Sequence, residues 1–177
     1  MIHNIRYRVF IYENEDKDEI LEALLNILPT AEPEVEEAEG LLEEKMLILT
    51  GTISKKRETK EFLNTLIDSI GKDQLKKLYN DLERKMDEKG NLFLRLSKEK
   101  ALEEEWEILD GGDSIHLKIK IAAYPAKKEV AIKKISEIFP EDIKWLIGII
   151  RLINRYFIFI FSIFSNIKSL NYLKYFL

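Results

Sequence analysis

A chain of 177 residues, 46% hydrophobic and 34% charged, can bury a core of its own and does not belong to the disordered class. With no cysteine it has neither a disulfide framework nor a Cys/His zinc site, and it fits a reducing cytoplasm. The net charge of −4 conceals a division: 32 acids face 23 bases up to Asp142, leaving that part near −9, whereas Lys144, Arg151, Arg155, Lys168 and Lys174 make the remainder +5. An acidic body excludes a general nucleic-acid coating protein, so a nucleic-acid site on it has to be a local patch.

Met1 leads directly into a predicted strand, with no basic segment and apolar h-region of the kind that opens a secretory signal peptide. In that strand, from Ile2 to Tyr12, Ile5, Tyr7, Val9 and Ile11 alternate with Arg6, Arg8, Phe10 and Tyr12, a period of two that implies one buried and one wet face. A turn at Glu13 to Asp16 precedes a helix that Asp16 or Asp18 can cap. It runs to about Leu28, buries Ile20, Leu21, Leu24, Leu25 and Leu28, and is ended by Pro29. A short strand near Val35 to Ala38 and a clearer one from Lys45 to Ile53 follow. Ser54 is the expected cap of the next helix, with Lys55, Lys56 and Arg57 in its exposed first turn and Phe62, Leu63, Leu66, Ile67 and Ile70 facing inward. Gly71 breaks it. A third helix, about Asp73 to Glu88, repeats Leu75, Leu78, Tyr79, Leu82 and Met86, and Gly90 is its stop signal. These two helices are expected to pair antiparallel on one side of a sheet.

Leu92 to Leu96 alternates again, with Phe93 and Arg95 on the wet side. After a helical turn near Lys98 to Glu103, Trp106 to Leu109 is expected to form a hairpin with Ile115 to Tyr124 across Asp110-Gly111-Gly112-Asp113. In the second arm Ile115, Leu117, Ile119 and Ile121 alternate with His116, Lys118 and Lys120. A last helix covers about Lys127 to Ile138. The order of elements predicts an α+β fold, a mostly antiparallel twisted sheet with helices packed on one face, over residues 1–141, plus an apolar, basic helical tail over 142–177.

The catalytic inventory is thin. His3 and His116 are the only histidines, both on strands, and there is no P-loop or Gly-x-Gly-x-x-Gly loop. Glu105, Glu107, Asp110 and Asp113 invite a divalent-metal reading, but acidic clusters on hairpins are more often solvated or paired with lysines. No catalytic residue, metal ligand or cofactor is therefore assigned. The better constellation is the wet strand face, Arg6, Arg8, Phe10, Phe93, Arg95, His116, Lys118 and Lys120. Cations there suit phosphates, and exposed rings suit unpaired bases. The same pattern also fits a solvated sheet face on which Glu105 and Glu107 neutralise the bases. Lys55, Lys56 and Arg57 offer a second phosphate contact at a helix start, or an ordinary charged helix face.

The stretches His3–Phe10, Lys55–Phe62, Asp87–Leu96 and Asp113–Lys120, continuing through Ala123-Tyr124-Pro125-Ala126-Lys127, together resemble an archaeal RNA-binding family of predicted exosome-associated proteins, over about residues 2–139. The resemblance implies a fold similar to the ribosomal protein that binds 5S rRNA, and non-catalytic RNA binding near the RNA-processing or degradation machinery. At Gly40-Leu41-Leu42-Glu43-Glu44 this chain departs from the Gly- and Pro-containing loop that the family leads one to expect. With the resemblance, Arg6, Arg8, Arg95, Lys118 and Lys120 become the phosphate-facing candidates, and Phe10 and Phe93 the stacking platforms. The chief alternative is a protein–protein adaptor whose acidic surface docks on a basic ribonucleoprotein subunit. A nuclease is third.

Family members end near the last helix, so the tail from about Asp142 is an addition. Lys144, Gly148, Arg151, Arg155 and Ser162 fall near one side of a helix, and Trp145, Ile149, Ile150, Leu152, Ile153, Tyr156 and Phe157 leave the rest apolar. Its longest uncharged run, Tyr156 to Ile167, has 12 residues, whereas a spanning helix wants about 20. Three readings stay open: a non-native extension with the residue bias of AT-rich codons, an apolar segment that docks or makes a homodimer, and a membrane-surface anchor.

Overall fold

The structure, a computed structural model, describes residues 1–40, 45–145, 149, 152 and 153. Ten elements follow one another: β1 (Ile2–Tyr12), α1 (Lys17–Ile27), β2 (Glu34–Glu39), β3 (Lys45–Ile53), α2 (Lys56–Ser69), α3 (Lys72–Lys85), β4 (Asn91–Leu96), α4 (Lys98–Leu102), β5 (Ile115–Ile121) and α5 (Lys128–Ser136). The five strands form one sheet in the order β2-β3-β1-β5-β4, and every neighbouring pair is antiparallel. The amino-terminal strand thus lies at the centre.

The period-two pattern sorts the sheet into two faces. Ile5, Val9, Leu49, Leu94, Leu117 and Ile119 are almost wholly buried on one of them. Onto this sheet pack α1 and α2 against β1, α3 against β4, and α5 against β5, while α4 rests on α1. Leu24 of α1, Leu66 of α2, Leu78 of α3 and Ile135 of α5 complete the core. Each such side chain contributes about 1.5–3 kcal/mol by leaving water. Tyr7 and Gly51 are opposed across β1 and β3, and the buried Tyr7 ring lies where a Cβ at position 51 would stand, which requires glycine there.

One local expectation holds and two change. The Asp16 carboxylate caps α1 as anticipated, accepting from the amides of Asp18 and Glu19 at 2.8 and 3.1 Å. Ser54 does not cap α2: the cap position is Lys55, which makes no side-chain cap hydrogen bond. Nor do residues 106–109 form a hairpin with β5. Ile108 bridges Leu96 of β4, the Leu109 amide donates to the Arg95 carbonyl and the Ser97 amide to the Glu107 carbonyl. The segment therefore lines the outer side of β4, and Asp110 to Asp113 is a crossover to β5 with Gly112 at φ +82.

The chain divides into two compact units, Met1–Phe139 and Pro140–Leu177. In the second, residues 141–145 are helical, with the Lys144 amide donating to the Pro140 carbonyl at 3.2 Å. Most of the expected tail helix lies outside the described residues, and among those described no helix is long and apolar enough to cross a membrane.

Candidate nucleic-acid interface

The face of the sheet turned away from the core is ordered by cross-strand register. Thr52, Arg6, Lys118 and Phe93 form one row across β3, β1, β5 and β4. Glu34, Thr50, Arg8, His116 and Arg95 form the next, beginning on β2. Phe10 lies opposite Ile48 in a third row, and Lys120 lies between Asn4 and Asn91 on the other side. Neighbouring strands are about 4.7–4.9 Å apart, so the two central rows bring four cations and an aromatic ring together.

All eight wet-face residues expected from the sequence share this surface. Arg6, Arg8 and Arg95 are exposed, and among the described residues none of them has a carboxylate within ion-pair distance. Phe93 is 43% exposed, and the Lys118 ammonium lies 5.4 Å from its ring centroid, a cation–π arrangement that holds the charge at the ring. Phe10 is half-buried and meets the His116 ring edge-on, with centroids 5.8 Å apart. Lys120 donates to the Lys89 carbonyl, which ties it to the turn before β4.

Six of the eight wet-face residues, Arg6, Arg8, Phe93, Arg95, His116 and Lys118, line an open trough of about 1300 Å³. Arg84, Lys85, Asp87 and Asp110 contribute to it from the end of α3 and the crossover, and Thr30, Glu32, Glu34 and Lys55 also line it. Lys55 pairs with Glu58 at 3.1 Å. Lys56 and Arg57 are exposed on α2 but are not part of the lining. Burial works against ionisation of Asp87, yet hydrogen bonds from Asn91 and the Lys89 amide, with Lys118 nearby, hold its carboxyl below the usual range.

Three of the four acidic residues considered as metal ligands or as neutralising partners, Glu105, Asp110 and Asp113, are engaged elsewhere. Asp110 accepts from Lys77, Arg84 and Lys85, Asp113 from Lys98, and Glu105 pairs with Lys100 at 3.3 Å. Among the described residues no group of three or more His, Asp or Glu side chains is placed to hold a metal ion. Arg84, Lys85 and Lys77 were not singled out from the sequence. The paired bases closing α3 were the available signal, but only the crossover brings Asp110 to them.

Burial pushes the His116 imidazole below its ordinary value, and Arg95 and Arg8 push it further than Asp113 restores it. A ring whose folded-state pKa is depressed binds fewer protons folded than unfolded. Its contribution to stability is therefore full above about pH 6.5 and is lost as pH falls below that value. A phosphate beside the ring works in the opposite direction, favouring the imidazolium. Lowering the pH from 7 to 5 is expected to destabilise the protein more than a His116→Gln variant. Thermal melts at the two pH values check this, and equal pH responses in the two proteins would contradict it.

The sequence profile of an RNA-binding family matches residues 4–121, which includes all five strands except the first two residues of β1. The chain belongs to this RNA-binding family. Among its relatives is the RNA-binding protein PAB1135 of Pyrococcus abyssi, 37% identical over 141 residues, an alignment that covers 76% of this chain and 92% of that protein. MJ0213 of Methanocaldococcus jannaschii, an uncharacterized protein, is 27% identical over 144 residues, covering 76% of this chain and 95% of that one. Among solved structures, Mth689 of Methanothermobacter thermautotrophicus, a DUF54 protein, is similar with a TM-score of 0.72 and 44% identity, over 79% of this chain and 99% of its own. The family match takes in every residue of the wet face.

Proposed function

We propose that the open sheet face binds unpaired RNA, single-stranded or looped, without catalysing its cleavage. The observation that carries this reading is the arrangement of Arg6, Arg8, Arg95 and Lys118 around the exposed Phe93, with no carboxylate in ion-pair contact with the three arginines among the described residues. Cations of this kind bind phosphates, and the Phe93 face can stack a base at about 1–3 kcal/mol. A duplex keeps its base faces covered, so a sheet-borne ring favours splayed nucleotides. Glu34 and Glu36 on β2 repel the backbone from one side of the sheet and direct it toward β1, β5 and β4. The family and the resemblance to exosome-associated proteins support a place beside the cytoplasmic RNA-processing or degradation machinery.

Titration of labelled single-stranded, hairpin and duplex RNA by fluorescence anisotropy tests the proposal. Four phosphate contacts to a single strand predict a log–log salt slope near −3, or an affinity loss of about 50-fold between roughly 50 and 200 mM salt. Unpaired RNA is expected to bind more tightly than duplex. Salt-independent binding or equal affinities would reject the reading, and metal-dependent shortening of the RNA would make the protein a nuclease.

A second reading rests on β2, an edge strand that carries Glu34, Glu36, Glu37 and Glu39. Such an edge suits a basic ribonucleoprotein subunit. This adaptor role predicts co-purification that survives RNase treatment.

A further inference from the structure

Beyond the sheet face, three cations from α3 converge on one carboxylate from another part of the chain. Asp110 Oδ2 accepts from Lys77 at 2.5 Å, and Asp110 Oδ1 accepts from Arg84 and from Lys85, each at 3.1 Å. Arg84 is also bonded to Asp81 at 2.6 Å, so the cluster holds three positive and two negative groups. The attraction of basic side chains to a helix C-terminus accounts for Arg84 and Lys85 in the last turn. It does not account for Lys77, two turns earlier, or for an acid delivered by the crossover.

We propose that Lys77, Arg84 and Lys85 form a second phosphate site, extending the RNA path off the sheet, and that Asp110 occupies it until the RNA backbone displaces it. The inference rests on the sheet-face reading above. A carboxylate and a phosphodiester each present two oxygens to converging N–H donors, so one can replace the other. Arg84, Lys85 and Asp110 line the same trough as Arg8, Arg95 and Lys118, which makes the two sites continuous. Lys77, Arg84 and Asp110 are 59%, 59% and 44% exposed at their side chains, open enough for exchange with a ligand, whereas Lys85, at 10%, contributes its charge from a largely buried position. Asp110 sits beside Gly111 and Gly112, the latter with positive φ, in a crossover outside the sheet ladder. An exposed ion pair contributes little to stability, so its replacement by phosphate costs little.

The test is a set of titrations of the full chain with labelled single-stranded RNA. Asp110→Asn is expected to raise affinity about threefold to tenfold, because it removes a competing anion and its repulsion. The Lys77→Gln/Arg84→Gln double variant is expected to weaken binding and flatten the salt slope by about 0.7 for one lost phosphate. Adding Asp110→Asn to that pair should yield no gain. Unchanged or weaker binding by a folded Asp110→Asn protein would overturn the proposal. If Asp110→Asn does not fold, the Lys77/Arg84 pair decides, and wild-type affinity there overturns it equally. Arg8→Glu with Lys118→Glu separates the two levels: loss of binding in that variant without an Asp110 effect rejects the second site alone, whereas retained binding rejects the sheet-face reading.

Discussion

Reversing the charge at Arg8 and Lys118 together is expected to weaken RNA binding more than 100-fold while leaving the fold intact. Hydrogen bonds to charged groups contribute about 1.5–3 kcal/mol each, and every 1.4 kcal/mol is about tenfold in affinity. Two lost contacts alone reach this range, and two new carboxylates add repulsion in a trough that already has Glu34 at its margin. Arg8 and Lys118 belong to adjacent rows, on β1 and β5, so the pair removes the centre of the patch instead of its rim. The salt slope should become shallower by about 1.4, the share of two phosphates on a single strand. Arg8 is exposed and has no ion-pair partner among the described residues, and Lys118 projects over the exposed Phe93 ring, so neither supports the core. A melting temperature near that of the parent, measured beside the titration, distinguishes a lost contact from a lost fold. Affinity within threefold of the parent would exclude the sheet face as the binding surface.

Replacement of Lys98 by Ala is expected to destabilise the protein by about 3–5 kcal/mol, the cost of removing one partner from a buried ion pair. Lys98 opens α4 and is 6% exposed. Its ammonium donates to the Phe10 carbonyl at 2.6 Å, to the two Glu15 oxygens at 3.0 and 2.9 Å and to Asp113 at 2.6 Å. The paired register of β1 with β5 ends at Arg8 and His116, so the Phe10 carbonyl lies beyond that ladder and takes its bond from a side chain instead. Glu15 meanwhile accepts from the Tyr12 amide at 2.9 Å, and the ammonium lies 5.3 Å from the Tyr12 ring centroid. One cation thereby joins the end of β1, its following turn, α4 and the crossover. Without it, two carboxylates and a carbonyl lose their shared donor. At about 2–4 °C per kcal/mol for a chain of this size, the melting temperature should fall by roughly 6 °C or more. Lys98→Met, which keeps the apolar stem, should recover only the packing part. A fall of less than 2 °C in the Ala variant would show that water replaces the ammonium.

The strands and their faces were legible in the sequence because alternation is a local property. Arg6, Arg8 and Phe10 had to share one side of β1, as Lys118 and Lys120 did on β5, whatever the strands later paired with. Helix boundaries were legible to within a few residues for the same reason, through Asp16, Pro29 and Gly71. The cap of α2 was misplaced by one residue, since a serine's potential to cap does not decide where the backbone turns. Residues 106–109 pair with β4 and not, as expected, with β5, because Gly and Asp at 110–113 permit a tight hairpin and a crossover equally.

Alternation and charge by themselves determined an α+β chain with basic strand faces on an acidic body, and motif order supplied its resemblance to an RNA-binding family. Tertiary structure alone decided which strands became neighbours. It put Arg6 beside Lys118 and Phe93, placed Arg8 beside His116 and Arg95, and sent Glu105 to Lys100 instead of the sheet face. It also brought Asp110 to three α3 cations more than 20 residues away in sequence. The physical reason is range: side-chain periodicity is set by the backbone within a few residues, whereas contacts across strands and crossovers depend on how the whole core closes.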